Sequence, residues 1–497
     1  MYRQWLTLIA IVLVYIPVAI DATVLHVAAP TLSTSLGASG NELLWIIDIY
    51  PLVMAGIVLP MGALGDRIGF KRLLLAGSAL FGLSSLIAAL AGSVALLIAA
   101  RALLALGAAM IVPATLAGIR VTFPEIRNRN TALGVWAAVG SGGAAFGPLI
   151  GGFLLEHFYW GSVFLINVPL VLVVLILGWK VLPQQTGRHE QPMNIGQALM
   201  LIAAILMLVY SAKTALKGQH AFWIVGAIVA AGLWLLVKFI RIQFAAPTPM
   251  IDIHLFTHPV ILSGVIMILT SMITLVGFQL LMAQELQFVH AKTALQAGLF
   301  MLPVMLASSF SGPIAGWLVS RLGLRRIATA GMALSAISFL GLSWTDFSTQ
   351  PLQAWIMMTL LGFSAASALL ASTAAIMATA PKVKATAAGA IETMAYELGA
   401  GLGIALFGLI LTRSYHESIV LPADLDIAVA EQAASSIGEA FQVAQHLPTA
   451  MANELVDAAK TAFITSHSVA LFSASGILIL LAIGIWFGLA KVGRVTL

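Results

Sequence analysis

The chain has 497 residues, of which 61% are hydrophobic and 9% charged, with a formal net charge of +5 and no cysteine. Soluble domains carry about 25% charged residues, so this composition excludes a water-soluble fold. It also excludes disulfides, thiolate metal sites and cysteine nucleophiles, and a net charge carried by short loops argues against nucleic acid as a partner.

A bilayer span needs about 20 apolar residues. Fourteen stretches qualify: 5–29, 42–63, 72–92, 94–117, 131–154, 161–182, 195–212, 221–240, 258–283, 296–319, 325–344, 351–379, 385–411 and 461–489. None shows period-2 alternation, and a backbone in hydrocarbon must bond internally. The fold class read from the chain is therefore all-α integral membrane. The first run is too long for a signal-peptide core and reads as a retained span.

Orientation follows from Lys and Arg. With the N-terminus inside, 18 of the 24 basic residues fall on cytoplasmic segments: Arg3, Arg67, Lys71, Arg72, Arg120, Arg127, Arg129, Lys180, Arg188, Lys238, Arg241, Arg321, Arg325, Arg326, Lys382, Lys384, Lys491 and Arg494. Both termini are then cytoplasmic. Lys213 and Lys217 run against the rule locally.

A motif repeats. Gly62-Ala-Leu-Gly-Asp66-Arg67-Ile-Gly69-Phe-Lys71-Arg72 returns 254 residues later as Gly316-Trp-Leu-Val-Ser320-Arg321-Leu-Gly323-Leu-Arg325-Arg326. Internal symmetry at that period in an apolar chain means two related membrane bundles. Adding 254 maps span 1 onto 9, 2 onto 10 and 5 onto 13, leaving spans 7 and 8 between the halves in a 6+2+6 layout. The expected domains are a six-helix bundle over 1–182, two additional helices with flanking loops over 183–257, and a second bundle over 258–497. The acidic, Ala-rich segment 413–460 lies outside the membrane, either as a helical hairpin or as a plain loop. In the motif, Asp66 and the basic residues Arg67, Lys71 and Arg72 can make charge-assisted bonds to neighbouring helix ends, or can serve topology alone.

Charges within spans cost at least ~2.5 kcal/mol each at mid-bilayer and are functional candidates by default. They are Asp21, Asp48, Arg101, Glu392 and Glu397. At about 1.5 Å per residue, Asp21, Asp48 and Arg101 share one height, roughly 9–13 Å below the outer surface. Burial disfavours a charged carboxylate and a nearby guanidinium favours it, so motion that alters their separation switches proton affinity. A static ion pair locking helices together is the other reading. Glu392 and Glu397 have no basic neighbour in their span and suit a proton or a cationic ligand. Trp45, Trp136, Met394 and Tyr396 offer cation–π and dispersion contacts to flat cations, or simply pack.

Gly143, Gly147 and Gly151 recur every four residues, next to Pro148 and Gly152. They line one helical face that lets another backbone approach, and Pro148 favours a kink. Together they read as a sliding or bending seam between halves, or as static close packing. Shorter versions stand at Gly312-Pro313-x-x-Gly316 and at Gly399-x-x-x-Gly403. The ten histidines are scattered, and only His254/His258 show i,i+4 spacing, at a span entry where a surface role suffices. No HExxH, GxSxG or Walker loop occurs.

These motifs resemble the major facilitator superfamily. Gly62–Arg72 is similar to its loop motif after span 2, and Gly143–Gly152 to the span-5 motif of its proton-coupled antiporters. Ala19-Ile-Asp21 through Pro30, Trp160 through Asn167-Val-Pro169, and Glu392 with Tyr396-Glu-Leu-Gly399 resemble signatures of the 14-span drug:proton antiporter branch, particularly its quaternary-ammonium pumps. The resemblance implies a bacterial inner-membrane monomer that exports lipophilic mono- and dications in exchange for protons. It implies no enzyme activity, metal or cofactor. Asp21 would be the proton or cation carboxylate, Arg101 the arginine linked to proton transfer, and Glu392 a substrate-facing acid. A metabolite symporter or exporter and a membrane-embedded enzyme are the alternatives.

Overall fold

A computed structural model of the chain describes residues 2–184, 195–217, 222–247, 249, 253, 258–379, 385–422 and 425–488. Arg188, Lys382, Lys384, Lys491, Arg494, His254 and Asp424 lie outside the described residues, as do the side chains of Arg3, Asp66, Arg127, Lys213, Lys217, Pro313 and Ser320.

The described residues form helices and no strand. In order these are α1 Tyr2–Leu36, α2 Gly40–Ile68, α3 Phe70–Ala89, α4 Val94–Thr122, α5 Ile126–His157, α6 Ser162–Leu165, α7 Asn167–Val181, α8 Ile195–Lys217 and α9 Phe222–Ala245. They continue with α10 Pro259–Gln284, a π-helical turn Glu285–Val289, α11 Ala294–Phe300, α12 Leu302–Leu322, α13 Leu324–Ser343, α14 Pro351–Thr379, α15 Ala385–Ser418, α16 Ile427–Ala433, α17 Ile437–Ala444 and α18 Thr449–Gly488. Among the described residues twelve helices are long and apolar enough to cross a membrane, or thirteen if the bent pair α11–α12 is one span. The glycine-rich α5 is not among them.

Two expectations change. The stretch 296–319 is bent by 44° at Met301 rather than continuous. Pro303 has no N–H to return to the preceding turn and crowds its carbonyl. The stretch 161–182 stands as one span, Ser162–Val181, with a single irregular residue at Ile166 ahead of Pro169. The last helix begins at Thr449, twelve residues before the apolar run at 461, and its first turns carry Glu454, Asp457 and Lys460. A window tuned to hydrocarbon misses polar turns that extend beyond it.

The helices gather into two compact units, 1–25 with 49–254 and 26–48 with 255–497. In the first, α3 packs along α4 and α7, and α8 along α9. Gly56 of α2 lies under Ile202 of α8. In the second, α10 packs on α14 and α15, α12 on α14, and α13 on α14 and α18. Within 413–460, α16 and α17 form a helical pair. The Gly40 N–H donates to Glu439 Oε1 at 3.0 Å, and Gln442 Nε2 donates to the Ser33 carbonyl at 2.9 Å, so α17 is pinned to the α1–α2 junction.

The 254-residue repeat is visible in the backbone. Gly69, between α2 and α3, has φ 88° and ψ 144°, while Gly323, between α12 and α13, has φ 85° and ψ 153°. Two residues past each glycine, a basic side chain caps the C-terminal end of a long helix in its own unit, α7 in the first and α18 in the second. Lys71 Nζ donates to the Trp179 and Leu182 carbonyls, both at 2.8 Å. Arg325 Nε donates to the Trp486 carbonyl at 2.8 Å, and its guanidinium sits 3.9 Å from the Trp486 ring centroid. Cations at helix C-termini satisfy orphan carbonyls and meet the negative end of the dipole. A Cβ on Gly323 would meet open space, so Gly323→Ala isolates the backbone cost. We expect it to destabilise by about 1–3 kcal/mol, read as a lower Tm of the purified protein, with Gly331→Ala, which meets the Ser364 carbonyl at 2.9 Å, as the steric comparison.

Candidate transport site: buried charge in each unit

In the first unit, α1 presents Asp21 to Arg101 of α4. Arg101 Nη1 donates to Asp21 Oδ2 at 2.5 Å, and the two residues are 2% and 1% exposed. The guanidinium lies 4.7 Å from the Tyr50 ring centroid, a cation–π contact that tethers it further. Asp21 Oδ1 is buried with no hydrogen-bond partner. A carboxylate with one oxygen in an ion pair and the other unfilled has a place for a proton or a cationic ligand. Asp48 is also fully buried and belongs to the second unit.

Trp136 of α5 is half-buried. Its ring stacks on Tyr15 of α1 with centroids 4.5 Å apart, and its Nε1 donates to Thr115 Oγ1 at 3.1 Å. Nearby, the glycine face of α5 meets α1. A Cβ at Gly143 would lie 2.7 Å from Ala19 Cβ, one at Gly147 would lie 3.0 Å from the Ile20 carbonyl, and one at Gly151 would lie 2.5 Å from Val24 Cγ2. Thr23 Oγ1 donates across this contact to the Ala144 carbonyl at 2.8 Å. Pro148 and Gly152 are buried in the same helix, which runs on unbroken through the proline. The seam therefore lies inside the first unit, α5 against α1, and it flanks Asp21.

In the second unit, Glu392 of α15 is half-buried and accepts a 2.5 Å hydrogen bond from Thr373 Oγ1 of α14. At about 100° per residue, Tyr396 falls on the Glu392 face, while Glu397 is turned about 140° away, beside Met394. Tyr396 is exposed, and Glu397 and Met394 are half-buried. The two acids of α15 thus serve different faces. Trp45 of α2 is half-buried within this unit as well. Of the loop motif, Gly69 is buried, Gly62 and Lys71 are half-buried, and Arg67 and Arg72 are exposed. His258 precedes α10 as its N-cap without a side-chain cap bond.

One buried acid escaped the sequence reading. Glu285, at the π-helical turn after α10, is 3% exposed and paired with His467 of α18 through Nδ1, while His290 Nε2 stands 3.5 Å away. Glu285 lies two residues beyond the apolar stretch 258–283, and His467 is a single histidine within an apolar run, so neither stands out as charge in hydrocarbon. The signal was there: Leu286 and Phe288 continue the apolar face, and both are buried.

Long apolar helices in two compact units, each with a buried carboxylate, define a multi-pass membrane carrier. The chain belongs to the Major Facilitator Superfamily, whose family model matches residues 11–404. It is a transporter and not an enzyme. It is 70% identical over 494 residues to the methyl viologen resistance protein SmvA of Salmonella typhimurium strain LT2, covering 99% of this chain and 100% of the relative. It is 37% identical over 464 residues to the multidrug efflux pump LfrA of Mycolicibacterium smegmatis, covering 93% of this chain and 91% of the relative. Among solved structures, a bacterial homolog of the human lysosomal transporter Spinster, inward-facing and unoccupied, superposes with a TM-score of 0.66 at 16% identity over 98% of each chain. At that identity the likeness is one of fold.

Proposed function

We propose that this protein is a proton-coupled multidrug exporter of lipophilic mono- and dications: quaternary ammonium biocides, dyes, viologens and bisbiguanides such as chlorhexidine. It works in a bacterial inner membrane as a monomer with fourteen spans in a 6+2+6 layout and both termini cytoplasmic. The observation that carries the reading is the Asp21–Arg101 pair, fully buried with Asp21 Oδ1 unfilled. The names of the relatives, a methyl viologen resistance protein and a multidrug efflux pump, support the substrate class.

The cycle is competitive occupancy of Asp21. In the inward-open state the ionised carboxylate attracts the drug cation. After the carrier turns outward, a proton from outside takes the carboxylate and the cation leaves. Arg101 holds Asp21 in place through the buried ion pair. A second positive charge needs a second acid, and we assign Glu392 to it, with Thr373 orienting its carboxylate and Tyr396 on the same face.

The test is proton release. Methyl viologen added to purified protein with a pH-sensitive dye releases protons into solution, whereas a symporter takes protons up with its substrate. Glu392→Gln separates the substrates. Loss of a charge-assisted contact worth about 1.5–3 kcal/mol corresponds to roughly a 10–100-fold loss of methyl viologen transport, with tetraphenylphosphonium transport changed less than about threefold. Equal losses for both cations would remove Glu392 from the role of second acid.

A further inference from the structure

We infer that His467, oriented by Glu285, is a second proton-carrying group of the transport cycle, housed in the second unit and separate from Asp21. The inference rests on the proton-coupled export reading above.

Glu285 differs from Asp21 in what neutralises it. Asp21 faces the guanidinium of Arg101. Among the described residues, the ion-pair partners of Glu285 are imidazoles alone, His467 and His290. Imidazole is the side chain whose charge changes near neutrality. A pair built only to lock α10 to α18 is served better by a permanent cation. This pair can exist with and without the extra proton.

Geometry fixes where that proton goes. Nδ1 of His467 is on the Glu285 carboxylate. With the carboxylate ionised, Nδ1 carries the hydrogen, and the open lone pair of the neutral ring is on Nε2. His467 is 1% exposed, and its Nε2 has no hydrogen-bond partner. A buried ring nitrogen left unfilled, on a ring whose other nitrogen is held by a carboxylate, is a base awaiting a proton. Uptake at Nε2 gives an imidazolium against the carboxylate, and release from the same nitrogen restores the neutral ring. Phe347 stacks on this ring at 6.0 Å, and Phe463 meets it edge-on at 6.4 Å.

The backbone at this point is unusual. α10 passes into a π-helical turn at Glu285, a feature that recurs at functional sites. The turn is held from three sides in its unit: by α18 through His467, by α17 through Phe441 on Phe288 at 5.4 Å, and by α1 through Gln287 Nε2 donating to the Val27 carbonyl. Other titratable groups stand on the elements around this turn. Lys292 lies over Phe300, and Glu439 accepts from Gly40. Buried His26 precedes Val27, and Tyr415 of α15 donates to the Ala433 carbonyl. Lys460 stands two turns before His467 on α18, with Asp457 and Glu454 further off, and Arg413 and Glu417 of α15 pair with each other. α10 and α11 have no titratable side chain. On the proposed orientation this turn is at the external end of α10, where the driving protons arrive.

The test counts protons in the purified full-length chain. Tetraphenylphosphonium is added in detergent between pH 6 and 8, and release is read with a dye for wild type, His467→Gln and Glu285→Gln. Both variants keep a hydrogen-bonding partner at the contact, and the comparison uses whichever retains cation binding within about twofold of wild type and a comparable Tm. The expected result is a deficit of about one proton per transporter, the capacity of one imidazole, with a flattened pH dependence between pH 6 and 7.5. Wild-type release with no deficit in the variants overturns this inference and leaves the antiport reading standing. No release from wild type overturns the antiport reading, and this inference falls with it.

Discussion

On the proposed antiport cycle, Asp21→Asn is expected to abolish proton-driven export of every cation while the protein still reaches the membrane. Asparagine keeps the shape and an oxygen acceptor for Arg101, but it cannot exchange a proton for a drug. Arg101 remains buried against Tyr50, now without its counter-charge. Removing one partner of a buried ion pair costs about 3–5 kcal/mol when the other is left uncompensated, and the retained amide acceptor offsets part of that. We therefore expect Asp21→Asn to express at a reduced level and Asp21→Ala to fare worse. The measurement is pH-gradient-driven methyl viologen uptake in everted vesicles, normalised to protein amount. A loss of at least about 100-fold, equivalent to ~2.7 kcal/mol, is expected. Transport by Asp21→Asn that still follows the pH gradient would take the coupling role away from this carboxylate.

The second large effect is expected at the α1–α5 seam. Gly147→Val places a branched side chain where the Ile20 carbonyl and Thr23 already sit. Overpacking of this kind costs typically 1–3 kcal/mol. Relief requires α1 and α5 to separate, which stretches the Thr23–Ala144 bond and moves Asp21 relative to Arg101. Export in the same vesicle assay should fall at least tenfold, with Gly143→Ala, against Ala19, intermediate. Gly142 is the control, because a Cβ there meets nothing within 4 Å, and Gly142→Ala should transport as wild type. If Gly147→Val and Gly142→Ala behave alike, the seam has no mechanical part in transport.

How much was readable beforehand depends on the kind of signal. Asp21 and Arg101 stand out in the chain because charge in hydrocarbon is costly whatever surrounds it. Depth counting placed them at one height, and the structure joins them. The glycine period of α5 named a close-packing face, although not its partner. That partner is α1 within one unit, and no spacing rule specifies it. Glu285 and His467 are 182 residues apart, and each is ordinary in its own stretch. Their significance comes only from the packing of α18 against the π-helical turn. Likewise nothing local marks Trp179 and Trp486 as helix ends waiting for Lys71 and Arg325.

By itself the sequence determined that the chain is a bundle of membrane helices with an internal repeat, because hydrophobic length, the cost of buried charge and the backbone freedom of glycine are local properties. Tertiary structure alone decided which side chains meet: Arg101 with Asp21, Thr373 with Glu392, and two histidines with Glu285. Such pairings arise when helices distant in the chain pack side by side, and packing depends on the shapes of whole helix faces rather than on any short run of residues.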